Sequence, residues 1–222
     1  MTRGTWTRRI ALTAVATAAA TALALPAGAQ AATTADTSAV SVSGAATATV
    51  ATASAAAAKV DYATWQQDCQ AVMNQALPAL KQRIAAAKPG EKQAIVFDID
   101  NTTLESDFGF HYPAPANKPV LDVARYAQEH GVALFFVTAR PGIISGVTDY
   151  NLKTVGYDVS GLYVRGFLDL FKDVAAYKTA QRVTIESKGY TIIANVGNSA
   201  TDLSGGHAET TYKLPDYDGQ LS

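Results

Sequence analysis

The chain has 222 residues, of which 48% are hydrophobic and 17% charged, a composition typical of one globular domain with tails. Its formal net charge is −1, and no basic cluster is present, which excludes the charge attraction that nucleic-acid binding requires. Cys69 is the only cysteine, so an intramolecular disulfide is excluded.

The first 29 residues have the layout of a secretory signal peptide. Three arginines precede an apolar stretch over residues 10–25, and small residues follow at 27–29. The stretch is short for a membrane anchor and threonines interrupt it, so we expect cleavage, secretion and no stable membrane anchor afterwards. The Sec and twin-arginine export routes both stay open. Removal of the predicted signal peptide leaves a protein with 15 basic and 19 acidic side chains and a formal net charge of about −4.

Residues 30–58 consist almost entirely of alanine, threonine, serine and valine. They lack the large side chains whose burial offsets the entropy of ordering, which predicts a disordered linker. An alanine-rich helix is disfavoured by the interspersed threonine, serine and valine. The folded domain is therefore predicted at 59–222.

That domain begins with a predicted helical segment over residues 61–88. Its apolar residues recur mostly at steps of three and four: Trp65, Cys69, Val72, Met73, Ala76, Leu77, Leu80 and Ile84. Pro78 is expected to kink this helix or to split it. Pro89 and Gly90 are expected to end it.

After residue 90 the pattern alternates between short apolar strands and longer helical segments. Strands are predicted at 94–99, 132–137, 162–165, 191–196 and 210–214, and helices at 118–130, 142–155 and 173–188. Continuous apolar strands that alternate with helices predict an α/β fold, with helices on both faces of a parallel sheet.

Polar side chains collect where the predicted strands end. Asp98 and Asp100 end the first strand, Thr138, Ala139 and Arg140 follow the second, and Asn198 and Asp202 follow the fourth. In such a sheet, ligands bind at the carboxyl ends of the strands. These residues, together with Lys178 on the preceding helix, are the predicted site.

Four motifs in this order, FDIDNT, FFVTARP, YKTAQR and ANVGNSATDLSGG, resemble those of the haloacid dehalogenase (HAD) superfamily of phosphohydrolases. The residues within these motifs resemble those of its acid phosphatase branch, subfamily IIIB. The resemblance extends from about residue 60 to the end of the chain. The resemblance implies a Rossmann-like (HAD-like) fold and a phosphoric monoester hydrolase. The substrate would be a small-molecule phosphomonoester, and no nucleic-acid partner is expected.

The resemblance also implies a role for each site residue. Asp98 would be the nucleophile that forms an aspartyl phosphate, and Asp100 would protonate the leaving alcohol and later activate water. Thr138, with Ala139 and Arg140 beside it, would bind the phosphoryl group, and Lys178 would neutralise charge. For Arg140, pairing with a loop acid is an equally open alternative.

A Mg²⁺ cofactor is implied by two carboxylates facing an anionic substrate. The resemblance implies that its ligands would be Asp98, the backbone carbonyl of Asp100, Asn198 and Asp202. The family usually has aspartate where this chain has Asn198, so weaker metal binding or a changed metal preference is expected.

The short connection between the first motif and the helix near 118 leaves room only for a small cap. In that connection His111 is a candidate substrate contact, whereas Phe108, Phe110 and Tyr112 are assigned to packing. Two alternatives to an enzyme of this branch remain. One is a secreted phosphate-binding or storage protein with little activity. The other is a DxD glycosyltransferase, which is disfavoured because this sequence contains no recognisable nucleotide-binding stretch.

Overall fold

The computed structural model describes residues 60–221. The predicted signal peptide at 1–29 and linker at 30–58 lie outside the described residues. Within residues 60–221, every helix is too short or too polar to cross a membrane.

The described chain alternates between strands and helices as predicted. The helices are α1 (Tyr62–Ala85), α2 (Lys118–Glu129), α3 (Ser145–Val155), α4 (Val174–Ser187) and α5 (Ala200–Leu203). The strands are β1 (Lys92–Phe97), β2 (Ala133–Pro141), β3 (Gly161–Arg165), β4 (Tyr190–Gly197) and β5 (Thr211–Lys213). Short 3-10 helices cover Gly142–Ile144 and Phe167–Phe171. The helix predicted at 142–155 is thus a 3-10 turn followed by α3.

The five strands form one parallel sheet in the order β3-β2-β1-β4-β5. Alternate side chains of β1 enter different cores: Ile95 packs with residues of α1 and α2, whereas Val96 packs with Tyr177 and Ile185 of α4. Because successive side chains of a strand point to opposite faces, the sheet is covered on both sides. The predicted α/β class is confirmed.

Helix α1 runs unbroken through Pro78, so of the two effects expected of this proline the split is wrong, and the kink stays a prediction. Asp61 caps its first turn by accepting a hydrogen bond of 2.9 Å from the backbone nitrogen of Thr64. Apolar side chains on both sides of Pro78, from Trp65 to Ile84, are buried on one face. Their burial outweighs the hydrogen bond that the proline removes.

The loop between β1 and α2, residues 98–117, is the small cap. Two backbone hydrogen bonds close it, from Glu105 N to the Pro115 carbonyl at 2.9 Å and from Asn117 N to the Thr103 carbonyl at 3.0 Å. At its start, Asp98 N donates to the Val196 carbonyl at 2.9 Å. Asp98 is therefore held beside β4 at the carboxyl edge of the sheet.

The packing predicted for Phe110 in this loop is wrong, and Tyr112 packs only in part. Phe110 is fully exposed, and Tyr112 is largely exposed, with its ring near that of Tyr150. Phe108 does pack, stacked on Trp65 with ring centroids 4.5 Å apart. Apolar character predicts burial only on average.

Candidate active site

A cavity of about 500 Å³ lies at the carboxyl edge of the sheet. All of the predicted site residues except Thr138 line it. Parallel strands bring their carboxyl ends to one edge, which is why side chains from three strand ends and from α4 meet there. The unpredicted lining residues are Asn101, Ser106, Asp107, Val174, Ser199 and Thr201.

Lys178 is buried between two carboxylates. Its Nζ donates to Asp98 Oδ1 at 2.5 Å and also to Asp202 Oδ1. Burial alone would lower the pKa of Lys178, but the two negative charges raise it above its ordinary value. The ammonium group is therefore stable in the charged form. The structure places Lys178 beside Asp98, and the catalytic roles expected of the two residues stay predictions.

Asp98 presents one carboxylate oxygen to the cavity. Its Oδ1 accepts from Lys178, whereas Oδ2 accepts no hydrogen bond from the described residues. Burial raises the pKa of Asp98, and the charge of Lys178 offsets this only in part because Asp202 is also near. The arrangement leaves Oδ2 available to a ligand or to an electrophile in the cavity.

Asp100 is held by Arg140. Arg140 Nη2 donates to Oδ1 at 2.7 Å and Nε to Oδ2 at 3.0 Å, and the Ser106 hydroxyl donates to Oδ1 at 2.6 Å. Burial would raise the pKa of Asp100, but the hydrogen bonds and charge of Arg140 lower it overall. Arg140 thus pairs with an acid, and that acid is the candidate site residue Asp100; the substrate contact, the other alternative for Arg140, stays a prediction.

Thr138 is fully buried behind the cavity wall. Its Oγ1 accepts a hydrogen bond of 3.1 Å from the backbone nitrogen of Arg140. The phosphate contact predicted for Thr138 stays a prediction, whereas Ala139 and Arg140 line the cavity directly.

Asn198 links three segments through its side-chain amide. A carbonyl only accepts hydrogen bonds, so the contact between the amide and the Leu221 carbonyl requires Nδ2 on that side. Oδ1 then accepts from the Thr102 hydroxyl at 3.2 Å, and Asn198 N donates to that hydroxyl at 3.1 Å. Asn198 thereby ties the end of β4 to the small cap and to the C-terminal segment.

The predicted metal ligands supply oxygen donors, the chemistry that Mg²⁺ prefers. Asp98 Oδ2 accepts no hydrogen bond from the described residues, and Asn198 lines the same cavity, although its amide oxygen accepts from Thr102. Asp202 is more engaged, since Oδ1 accepts from Lys178 and Oδ2 from Ser199 N at 2.8 Å. Within residues 60–221, no cluster of three histidine, cysteine or acidic side chains forms a metal site. The residues fit Mg²⁺ in chemistry. Asp98 Oδ2 is the donor that no hydrogen bond from the described residues engages, whereas the side-chain oxygens of Asp100 and Asn198 already accept hydrogen bonds.

Arg182 is a functional neighbour that the sequence analysis missed. It is buried and donates to the backbone carbonyls of Asp202, Ser204 and Gly206, which fixes the loop after β4. Its position in YKTAQR, one helical turn beyond Lys178, places it on the same face of α4. That spacing could have indicated from the sequence that Arg182 lies near the site.

The chain matches the model of a known protein family over most of its length. The model of HAD superfamily subfamily IIIB (acid phosphatase) matches residues 16–220. The chain belongs to this family. The predicted enzyme class, a phosphoric monoester hydrolase, is the class of the family, and the resemblance inferred from the four motifs is confirmed.

Two curated relatives of this acid phosphatase family member are the stem 28 kDa and stem 31 kDa glycoproteins of Glycine max. Each is 31% identical over 119 residues, which cover 52% of the chain and 47% or 41% of the relative. The chain thus matches about half the length of these relatives or less.

A solved structure with the same fold is the class C acid phosphatase from Bacillus anthracis with tungstate bound. It is 19% identical, with a TM-score of 0.51 and coverage of 65% of this chain and 67% of that chain. Another structure of the class C acid phosphatase from the same organism is 21% identical, with a TM-score of 0.48 and coverage of 64% and 69%.

Proposed function

We propose that the chain is a secreted, Mg²⁺-dependent phosphomonoesterase that acts through an aspartyl phosphate on Asp98. The observation that carries the proposal is the state of the Asp98 carboxylate. Lys178 holds one oxygen, while the other oxygen borders a cavity that also contains Asp100. A nucleophile with one oxygen anchored and one open is oriented for in-line attack.

In the first step, Asp98 Oδ2 attacks the phosphorus atom of a small-molecule phosphomonoester. The bond from phosphorus to the alcohol oxygen breaks, and Asp100 gives its proton to that oxygen. Lys178 offsets negative charge on Asp98 and on the transferred phosphoryl group. When bound, Mg²⁺ would add positive charge beside the phosphoryl oxygens.

In the second step, the aspartyl phosphate is hydrolysed. Asp100 accepts a proton from a water molecule, the water oxygen attacks phosphorus, and the bond to Asp98 breaks to release inorganic phosphate. The second step thus returns the protein to ionised Asp98 and protonated Asp100, from which the next cycle begins.

Arg140 must release Asp100 for this cycle, because the ion pair favours the ionised carboxylate. A phosphate group accepts bidentate hydrogen bonds from a guanidinium as a carboxylate does. Substrate phosphate is therefore proposed to compete for Arg140 and to free Asp100 for protonation.

The test is to trap the intermediate. Acid quenching during turnover, followed by peptide mass spectrometry, should find phosphate on the peptide that contains Asp98. Asp98→Asn should carry none, and Asp122→Asn, on the exposed face of α2, should carry as much as the wild type. Turnover without a phosphorylated Asp98 peptide would refute the aspartyl-phosphate mechanism.

A second candidate function is phosphate binding with little turnover, as in a storage protein. Asn198 favours it, because the amide that replaces an acidic ligand is already engaged by Thr102 and Leu221. Calorimetric binding of inorganic phosphate by a folded protein that shows no turnover at high Mg²⁺ would establish this alternative.

Secretion is proposed from the arginines, apolar stretch and small residues of positions 1–29. Expression of the full chain should yield protein in the medium whose first residue lies just after this segment, as read by N-terminal sequencing. Retention of the uncleaved chain in the membrane fraction would contradict it.

A further inference from the structure

A second cavity of about 460 Å³ adjoins the active site. Tyr62, Glu105, Asp107, Phe108 and His111 line it, and we call it the side cavity. Asp107 also lines the active-site cavity. The two cavities therefore share one wall, and a ligand in one borders the other.

Asp107 is fixed in this shared position. Its carboxylate accepts from Asn101 Nδ2 at 2.8 Å, and its backbone nitrogen donates to Asn101 Oδ1 at 3.1 Å. Asn101 directly follows Asp100 in the chain. The alcohol part of a phosphomonoester bound at Asp98 and Asp100 would thus leave the active site beside Asp107.

Glu105 gives the side cavity a buried negative charge. Its side chain is 7% exposed, and its Oε1 accepts from the Tyr62 hydroxyl at 2.9 Å and from Gln66 Nε2 at 3.1 Å. Oε2 accepts no hydrogen bond from the described residues, and within residues 60–221 no lysine or arginine lines the cavity. Because a buried carboxylate is costly without a partner of opposite charge, the side cavity fits a cation.

Aromatic rings form the other part of the wall. The rings of Tyr62 and Phe108 lie edge to face with centroids 5.2 Å apart, and Phe108 stacks on buried Trp65 at 4.5 Å. Stacking on one side holds Phe108 in place while it lines the cavity. Aromatic faces attract organic cations, and they attract ammonium groups without forming hydrogen bonds.

We propose that the side cavity binds an ammonium group on the alcohol part of the substrate, so that the preferred substrates are phosphomonoesters of amino alcohols. The inference rests on the proposed function. His111, a candidate substrate contact, lies in this side cavity and contacts the alcohol part. Glu105, Asp107 and the two rings discriminate by charge, because an uncharged group of the same shape fills the cavity without the electrostatic attraction.

The matched substrates are choline phosphate and 3,3-dimethylbutyl phosphate, its neutral carbon isostere. At neutral pH the wild-type protein should show kcat/KM about tenfold higher for choline phosphate, the factor expected from one partly buried cation site. Glu105→Gln keeps the shape of the side chain and removes its charge. It should reduce the ratio of kcat/KM for choline phosphate to kcat/KM for 3,3-dimethylbutyl phosphate to about one. Glu186→Gln, a carboxylate remote from the side cavity, should keep the wild-type ratio.

Tyr62→Leu is a second variant, at a position that is 45% exposed. It removes one ring together with the hydroxyl that donates to Glu105, and it should reduce the ratio roughly threefold. Equal kcat/KM for the two substrates in the wild type would overturn the inference while leaving the phosphomonoesterase function intact.

Direct binding separates the inference from the proposed function. Calorimetric titration of the full chain with choline should give heat of binding, and 3,3-dimethylbutanol or the Glu105→Gln variant should give much less. If the protein hydrolyses neither ester but binds choline in this Glu105-dependent way, the proposed function fails and the cation site stands. If choline does not bind, the cation site is refuted whatever the turnover.

Discussion

Arg140 and Asp100 form a two-point ion pair, with Nη2 to Oδ1 at 2.7 Å and Nε to Oδ2 at 3.0 Å. The pair joins the end of β2 to the start of the small cap. It lowers the pKa of the carboxylate that the proposed mechanism uses as its acid. A general acid with a lowered pKa is protonated only at acidic pH, so the pair favours activity in acid.

Replacing Arg140 should therefore change the pH profile. Arg140→Gln removes the positive charge, so the pKa of Asp100 rises and its protonated form persists to higher pH. The pH at which kcat/KM declines on the alkaline side should therefore increase by about one unit or more. The measurement is kcat/KM for a chromogenic phosphomonoester between acidic and neutral pH.

The control for this profile is Lys118→Gln, which breaks an exposed pair with Asp122 on α2. Its profile should match the wild type. An unshifted alkaline limb in Arg140→Gln would mean that Asp100 is not the acid whose titration limits the rate.

Asn198→Asp should exchange stability for metal affinity. The new carboxylate adds a negative oxygen ligand, which should tighten Mg²⁺ binding roughly tenfold. It also loses the donor to the Leu221 carbonyl and places two acceptors together, which should lower the free energy of unfolding by about 1–3 kcal/mol. Calorimetric Mg²⁺ titration and urea unfolding measure the two effects.

Asn198→Ala is the matched control, since it loses the same donor without adding charge. It should lose stability and gain no affinity for Mg²⁺. Equal Mg²⁺ affinity in the wild type and Asn198→Asp would show that residue 198 does not contact the metal.

Lys178→Met should leave Asp98 and Asp202 buried without their shared cation. The free energy of unfolding should fall by about 3–5 kcal/mol at neutral pH. The loss should shrink in acid, because protonation of Asp98, whose pKa is already raised, removes the unpaired charge. Urea unfolding at neutral and acidic pH measures both values.

Lys118→Met removes an exposed lysine from α2 for comparison and should change stability by less than about 0.5 kcal/mol. A Lys178→Met protein as stable as the wild type at neutral pH would show that the two carboxylates do not need the ammonium group.

Glu91 should contribute to stability through its ion pair with Arg83, which links α1 to the start of β1. Hydrogen bonds from Arg83 lower the pKa of Glu91 to about 2. Because the folded-state pKa is depressed, the contribution is fully present above the ordinary pKa of glutamate. It is lost as the pH falls toward 2.

Glu91→Gln should thus be less stable than the wild type near neutral pH and should approach it in strong acid. Urea unfolding of both proteins across this range is the measurement, with exposed Glu129→Gln on α2 as the control. A stability difference that is constant with pH would exclude the ion pair as its source.

The strands, the long helices and the meeting of the candidate site residues at one edge of the sheet could be predicted because each leaves a local pattern. Apolar runs and steps of three and four placed β1 and α1 within a few residues. Polar side chains at the ends of β1, β2 and β4 could be assigned to one edge because parallel strands share their direction.

The pairings within the site could not be predicted, because they join residues far apart in the chain. Arg140 meets Asp100 only after β1 and β2 pair, and Asn198 meets Leu221 only after the C-terminal segment packs. The 3-10 helix at Phe167–Phe171 was missed for another reason. Its apolar side chains are exposed, and no periodic burial pattern marks it.

The central claim, that Asp98 is the nucleophile of a metal-dependent phosphomonoesterase, is tested most directly by hydrolysis of a chromogenic phosphomonoester. Wild-type protein and Asp98→Asn are compared with Mg²⁺ and with a chelator. We expect turnover by the wild type with Mg²⁺, its loss with the chelator, and none by the folded variant. Equal turnover by the two proteins, or turnover that the chelator leaves unchanged, would contradict the account.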